Sequence, residues 1–258
     1  MRRGFGNEHT RARRETSREN LFVVGVIVLS FVVTLGLSFI FSGKGFLSLA
    51  GVFDREKTRT FYAVAVGGYD DMTLARNTAE LIKSRGGAGY VTKNSGDEKQ
   101  NIEIIYAVYP DKSSAEKVLA ALDDRSAYTR EIKAKEGAYS WCEGDQKTAV
   151  KNAMTYFDLA YQTMYDVSNS LNDNVTDVDG AKVKIRVLYK QIEDIKSVFY
   201  QNTQKVDKSQ ITEIKLALIT ALALVDGIEF GTPVSTCASI RHQLVQLVLC
   251  YCSLCNSI

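Results

Sequence analysis

Two histidines, His9 and His242, and five cysteines, at 142, 237, 250, 252 and 255, are the side chains best suited to nucleophilic, acid–base or metal chemistry in this chain. Their spacing supports none of these. No nucleophile lies near a base in any recognisable pattern, and no paired carboxylates stand at a meaningful separation. Cys252 and Cys255 form a C-x-x-C with Cys250 and His242 nearby, which raises the question of zinc. On a helix, however, 252 and 255 share a face while 250 points elsewhere, and no second pair follows to complete four ligands. Buried free thiols on an apolar seam are the better expectation. Gly67 and Gly68 precede a helix, as in a phosphate-binding loop, but no Lys-Ser/Thr follows and Asp70 and Asp71 would repel phosphate. The chain is therefore expected not to be an enzyme and to require neither metal nor cofactor. With an odd number of cysteines, no disulfide framework follows.

The stretch holding those glycines, VAVGGYDDMTLA at 64–75, has a near echo in IIYAVYPDKSSA at 104–115. Each runs from apolar residues through an aromatic and an Asp to an Ala at the head of a helical pattern. Strands are predicted over 61–69, in AGYVTKN, over 102–109 and over 127–134, with helices after Asp70 and Asp111. The order is βαββαβ, two similar halves that are each too small to bury their own apolar face and so share one core. Both helices would then cover one face of an antiparallel sheet and leave the other open.

Beyond Trp141 the pattern turns helical. Apolar residues recur at alternating spacings of three and four in 181–199, 211–228 and 237–258, with a looser stripe over 150–164. Short polar separators predict a small antiparallel bundle. LALITALALV at 216–225 is too short to cross a membrane.

Net charge is +2 over 258 residues, but residues 1–20 carry six Arg against three Glu. The remainder is close to neutral, so the folded part lacks the electrostatic footprint of a nucleic-acid-binding protein. Residues 21–41 follow without a charge or a proline, long enough to span a bilayer as a helix. Its length exceeds the apolar region of a cleaved signal peptide, although Ser48, Leu49 and Ala50 could pass for a cleavage site. The Arg-rich flank predicts a cytoplasmic N-terminus and extracytoplasmic domains on a single-pass protein of the cell membrane.

The segment from Thr60 to about Ala134 resembles a SPOR domain, the peptidoglycan-binding module of bacterial division and sporulation proteins. The likeness rests on Val66, Gly67, Gly68, Tyr69 and Ala75, and in the second half on Tyr106, Ala107, Val108, Tyr109 and Ala115. It implies a domain that binds glycan strands stripped of stem peptides, through the sheet face not covered by helices. The residues implied to face the glycan are Ala65, Gly68, Tyr90, Glu103, Ile105, Tyr128 and Arg130. Ala65 stands where the family often has Gln, and Ala107 where it usually has Gly. The expected fold class is α+β in successive parts: a cytoplasmic tail (1–20), a transmembrane helix (21–41), a linker (42–59), a ferredoxin-like βαββαβ SPOR-type domain (60–135) and a helical bundle (139–258). The expected partners are peptidoglycan glycan, the cytoplasmic membrane, and division or sporulation proteins or a second copy through the bundle. The alternative is an envelope-assembly scaffold that uses the same parts for protein contacts.

Overall fold

The computed structural model describes residues 57–93 and 102–258, apart from 123, 125 and 138. Ten elements follow one another: β1 (Lys57–Tyr69), α1 (Met72–Ser84), β2 (Tyr90–Lys93), β3 (Ile102–Tyr109), α2 (Lys112–Ala121), β4 (Ala127–Glu136), α3 (Gly144–Asn172), α4 (Val178–Asn202), α5 (Ser209–Asp226) and α6 (Pro233–Ser257). The four strands form one antiparallel sheet in the order β2-β3-β1-β4.

The repeated Asp explains the two similar stretches. Asp71 caps α1 by accepting from the amides of Thr73 and Leu74 at 2.5 and 3.1 Å, and Asp111 caps α2 by accepting from the amide of Ser114 at 2.8 Å. Each carboxylate satisfies donors that the first turn leaves unpaired. Between β1 and Asp71 the chain must reverse, and Gly68 takes φ +91°, a conformation that side chains disfavour. Later helices use the same device: Asp177 caps α4, while Thr232 caps α6 ahead of Pro233.

The two faces of the sheet are covered by different helices. On one face Val64, Ala107 and Tyr109 pack against Ala115 of α2, and Ile102 and Ile104 against Ala75 and Ala79 of α1. On the other face Phe61, Ala63, Ile105, Val108, Ile132 and Ala134 enter the same core as the bundle. Within the bundle α3 packs on α4 and α6, and α5 on α4 and α6; α6 also lies on β3 and β4.

An aromatic column joins the layers. Phe61 meets Phe157 edge-on at 5.6 Å between ring centroids and Tyr161 at 5.3 Å, and Phe157 stacks on Tyr251. Arg59 lies over the rings of Phe61 and Phe157 while pairing with Asp158 and with Glu136, the latter at 3.5 Å. The Tyr251 hydroxyl donates to Glu136 at 2.9 Å, so β1, β4, α3 and α6 are tied at one point. Burying side chains such as Phe61 and Phe157 stabilises the joint by roughly 2–3 kcal/mol each.

These contacts correct the expected fold class. Helices make up 63% of the described residues, in six helices against one curled four-stranded sheet. Sheet and bundle are not successive parts, because Asp54–Ile258 forms one compact unit with a common core. The expected open face is an interior face. Strand β1 begins at Lys57, inside the span read as a linker. The basic tail 1–20 and the 21–41 span lie outside the described residues, and among the described residues no helix is long and apolar enough to cross a membrane.

Candidate functional site at the sheet rim

Strand pairing brings six of the seven expected contact residues to one face. Ala65 pairs with both Ile105 and Tyr128, and Ile105 also pairs with Tyr90. Directly opposed residues project to the same side, and so do residues two apart along a strand, which adds Glu103 and Arg130. Gly68 does not belong to this set. It lies exposed near the end of β1, inside the register shift between Val66 and Tyr69.

Sharing a face does not make these residues available. Ala65 and Ile105 are fully buried, and Ile105 belongs to the core shared with the bundle. Tyr90 is half-buried with its ring 5.3 Å from that of His242 on α6. What remains open is the far rim, where Tyr128 and Arg130 are half-buried over Glu103.

Glu103 is 1% exposed, and a carboxylate so placed needs partners for both oxygens. The Tyr128 hydroxyl donates to Oε2 at 2.5 Å, and the Arg130 guanidinium pairs with Oε1. Burial raises the Tyr128 hydroxyl above its usual pKa and lowers that of Arg130, which as an arginine still carries its charge at neutral pH. Gly67 makes room for this arrangement, since a Cβ there would stand 2.8 Å from the Tyr128 ring. The result is an aromatic ring and a guanidinium held at fixed positions on a rim. A ring of this kind can stack on the apolar face of a sugar, and the remaining guanidinium donors can reach a hydroxyl or carboxylate. Glu103 lies beneath them, accepting from Tyr128 at Oε2 and paired in charge with Arg130 at Oε1, which accepts no hydrogen bond.

Helix α6 closes the other end of the face through the Gly86–Gly89 turn. Arg241 donates to the Gly86 carbonyl at 2.9 Å, and His242 Nδ1 donates to the Ala88 carbonyl at 2.9 Å. Gln246 Nε2 lies 3.0 Å from His242 Nε2, so a neutral imidazole satisfies both contacts, with Nδ1 protonated and Nε2 accepting. Burial lowers the His242 pKa and favours that form.

Four of the five cysteines are shielded from chemistry by burial, while Cys250 is free and exposed. Cys142, Cys237, Cys252 and Cys255 are free and buried, and burial pushes the thiols of Cys252 and Cys255 up to about 12. Thiols of that kind stay protonated at neutral pH and neither attack nor ligate readily. Among the described residues no group of three or more His, Cys, Asp or Glu could hold a metal ion. His9 lies outside the described residues.

Sequence reasoning missed Gly67, His242 and Gln246. A Gly-Gly pair ahead of a helix signals a chain reversal, which accounts for Gly68 at positive φ and not for Gly67. Arg241 and His242 carry no signal of their own, because their partners are backbone carbonyls 155 and 154 positions away. Compared with family models, with curated proteins and with solved structures, the chain finds no match.

Proposed function

We propose that this chain is a non-catalytic binding protein of the bacterial envelope, held at the cell membrane through its apolar 21–41 run, which engages peptidoglycan glycan at the sheet rim. The observation that carries this reading is the half-open Tyr128–Arg130 pair seated on buried Glu103. Keeping a carboxylate buried is costly unless it is partnered, and here one hydrogen bond from Tyr128 and the charge of Arg130 hold an aromatic and a cation at the surface. Glycan repeats offer matching chemistry, with C–H faces for stacking and hydroxyl, acetamido and lactyl groups for hydrogen bonding. The resemblance of 60–134 to SPOR domains supports the same ligand, and division or sporulation is the corresponding setting. The contact is confined to the rim, because the bundle fills the centre of the face.

The test is sedimentation of the full chain, in detergent micelles, with purified wall sacculi before and after an amidase has removed the stem peptides. More protein in the pellet with denuded walls is expected. Equal absence from both pellets excludes the glycan reading.

A second reading, an envelope-assembly scaffold acting through protein contacts, is favoured by the complete burial of Ala65 and Ile105. Loss of those two positions leaves a small surface for a sugar strand. Under this reading the rim serves rigidity, and the chain stays in the supernatant with either wall preparation.

A further inference from the structure

A narrow notch opens between the end of β3 and helices α3 and α6, with about 220 Å³ of space free of protein atoms, part of it facing solvent. Tyr109 lines it from β3, Tyr165 and Asn169 from α3, and Arg241 from α6, while Ala107 and Leu244 supply apolar wall. Tyr109 ends the strand on which Glu103 lies near the start, about 20 Å away along β3, so the notch is separate from the rim.

The polar groups around the notch lack partners. Tyr109 is only 6% exposed, yet among the described residues its hydroxyl makes no hydrogen bond, whereas buried polar groups are normally paired. The hydroxyl of Tyr165 and the side-chain amide of Asn169, both half-buried, have no partner among the described residues either. Arg241 donates one N–H to the Gly86 carbonyl and has no carboxylate partner among those residues. Its charge is felt at Tyr109, where burial raises the hydroxyl pKa and Arg241 opposes the rise. No acidic residue lines the notch. A half-buried guanidinium without a counter-charge, beside three groups able to donate, is suited to an anion.

The lining narrows the class of anion. A guanidinium fork matches the two oxygens of a carboxylate, and the buried Ala107 and Leu244 offer contact to a hydrocarbon chain rather than to further charge. We infer that this notch binds a small aliphatic carboxylate. Its carboxyl group pairs with Arg241 and accepts from the Tyr109 hydroxyl and the Asn169 amide, and its alkyl part lies against Ala107 and Leu244.

The experiment is a titration of the isotope-labelled full chain in detergent with sodium propionate at constant ionic strength, followed by amide NMR spectra. Saturable shifts are expected at the Asn169 side-chain amide and at the backbone amides of Ala107, Tyr109 and Arg241. The uncharged analogue propionamide should produce none. Arg241→Gln removes the charge and is expected to weaken binding at least about tenfold, and Tyr109→Phe removes one donor and should weaken it about threefold. Asn169→Ala truncates a side chain that makes no hydrogen bond in the fold, so the threefold loss expected there, roughly that of one donor, reports a ligand contact. Absence of saturation up to roughly 50 mM propionate overturns the inference, as does an equal response to propionamide. Affinity unchanged in either Arg241→Gln or Asn169→Ala overturns it too, and tighter binding of inorganic phosphate than of propionate overturns the carboxylate assignment.

Discussion

The Tyr128 hydroxyl donates to the Glu103 carboxylate at 2.5 Å, joining a half-open residue of β4 to a fully buried one of β3 across the end of β1. Tyr128→Phe keeps the ring and removes the donor, leaving the buried oxygen without that partner. Loss of a hydrogen bond to a charged group costs about 1.5 kcal/mol. Urea unfolding of the variant should show a lower midpoint with an unchanged slope, the shift multiplied by the slope giving that loss. No shift would mean that Glu103 does not depend on Tyr128.

Gly67 is required by the ring beside it. A Cβ at this position meets Tyr128 Cε1 at 2.8 Å, closer than side chains tolerate. Gly67→Ala is expected to cost about 1–2 kcal/mol through displacement of the ring. In a Tyr128→Ala background the same change should cost a few tenths of a kcal/mol, because the clash is gone. Equal costs in both backgrounds would place the strain elsewhere.

His242 gives stability a pH dependence of known sign. Its folded pKa is lowered from 6.5, first by burial and also by Lys83, while the Ala88 carbonyl and Glu80 oppose the shift. A folded state that binds the proton less well than the unfolded chain has its full stability above about pH 6.5 and loses it as pH falls. Thermal melts from pH 7.5 to 5 should show a decline that His242→Gln reduces. An identical decline in the variant would assign it to other groups.

Sheet and bundle should unfold together, since Phe61 and Phe157 belong to one core. Phe157 is fully buried between Phe61 and Tyr251, and Phe157→Ala is expected to cost about 3–5 kcal/mol. Wild type and variant should each show one transition by both far-ultraviolet circular dichroism and Trp141 fluorescence. Two separated transitions would mean that the strands and the helices are independent.

The heptad-like spacings of 181–199, 211–228 and 237–258 marked the buried sides of α4, α5 and α6, because in those helices packing follows the local period. The position of the bundle was harder to see. Residues 61–66, Phe-Tyr-Ala-Val-Ala-Val, are apolar on both alternating sets. That is the pattern of a strand covered on both faces, and it argued against an open sheet. The small side chains of Ala63 and Ala134 admit close neighbours, yet no local signal names α3 and α6 as those neighbours. Tyr90, Glu103, Tyr128 and Arg130 were implied to share a face by the resemblance, and the strand pairing brings them to one face. Which of them stay accessible depends on contacts more than a hundred positions away, such as that between Tyr90 and His242.

The glycan reading is tested most directly by isothermal titration of the full chain with soluble, peptide-free glycan fragments, comparing wild type with Tyr128→Ala and Arg130→Ala. The rim site predicts saturable binding to wild type and at least about tenfold weaker binding to each variant. Binding that is absent in wild type, or unchanged in both variants, would contradict it.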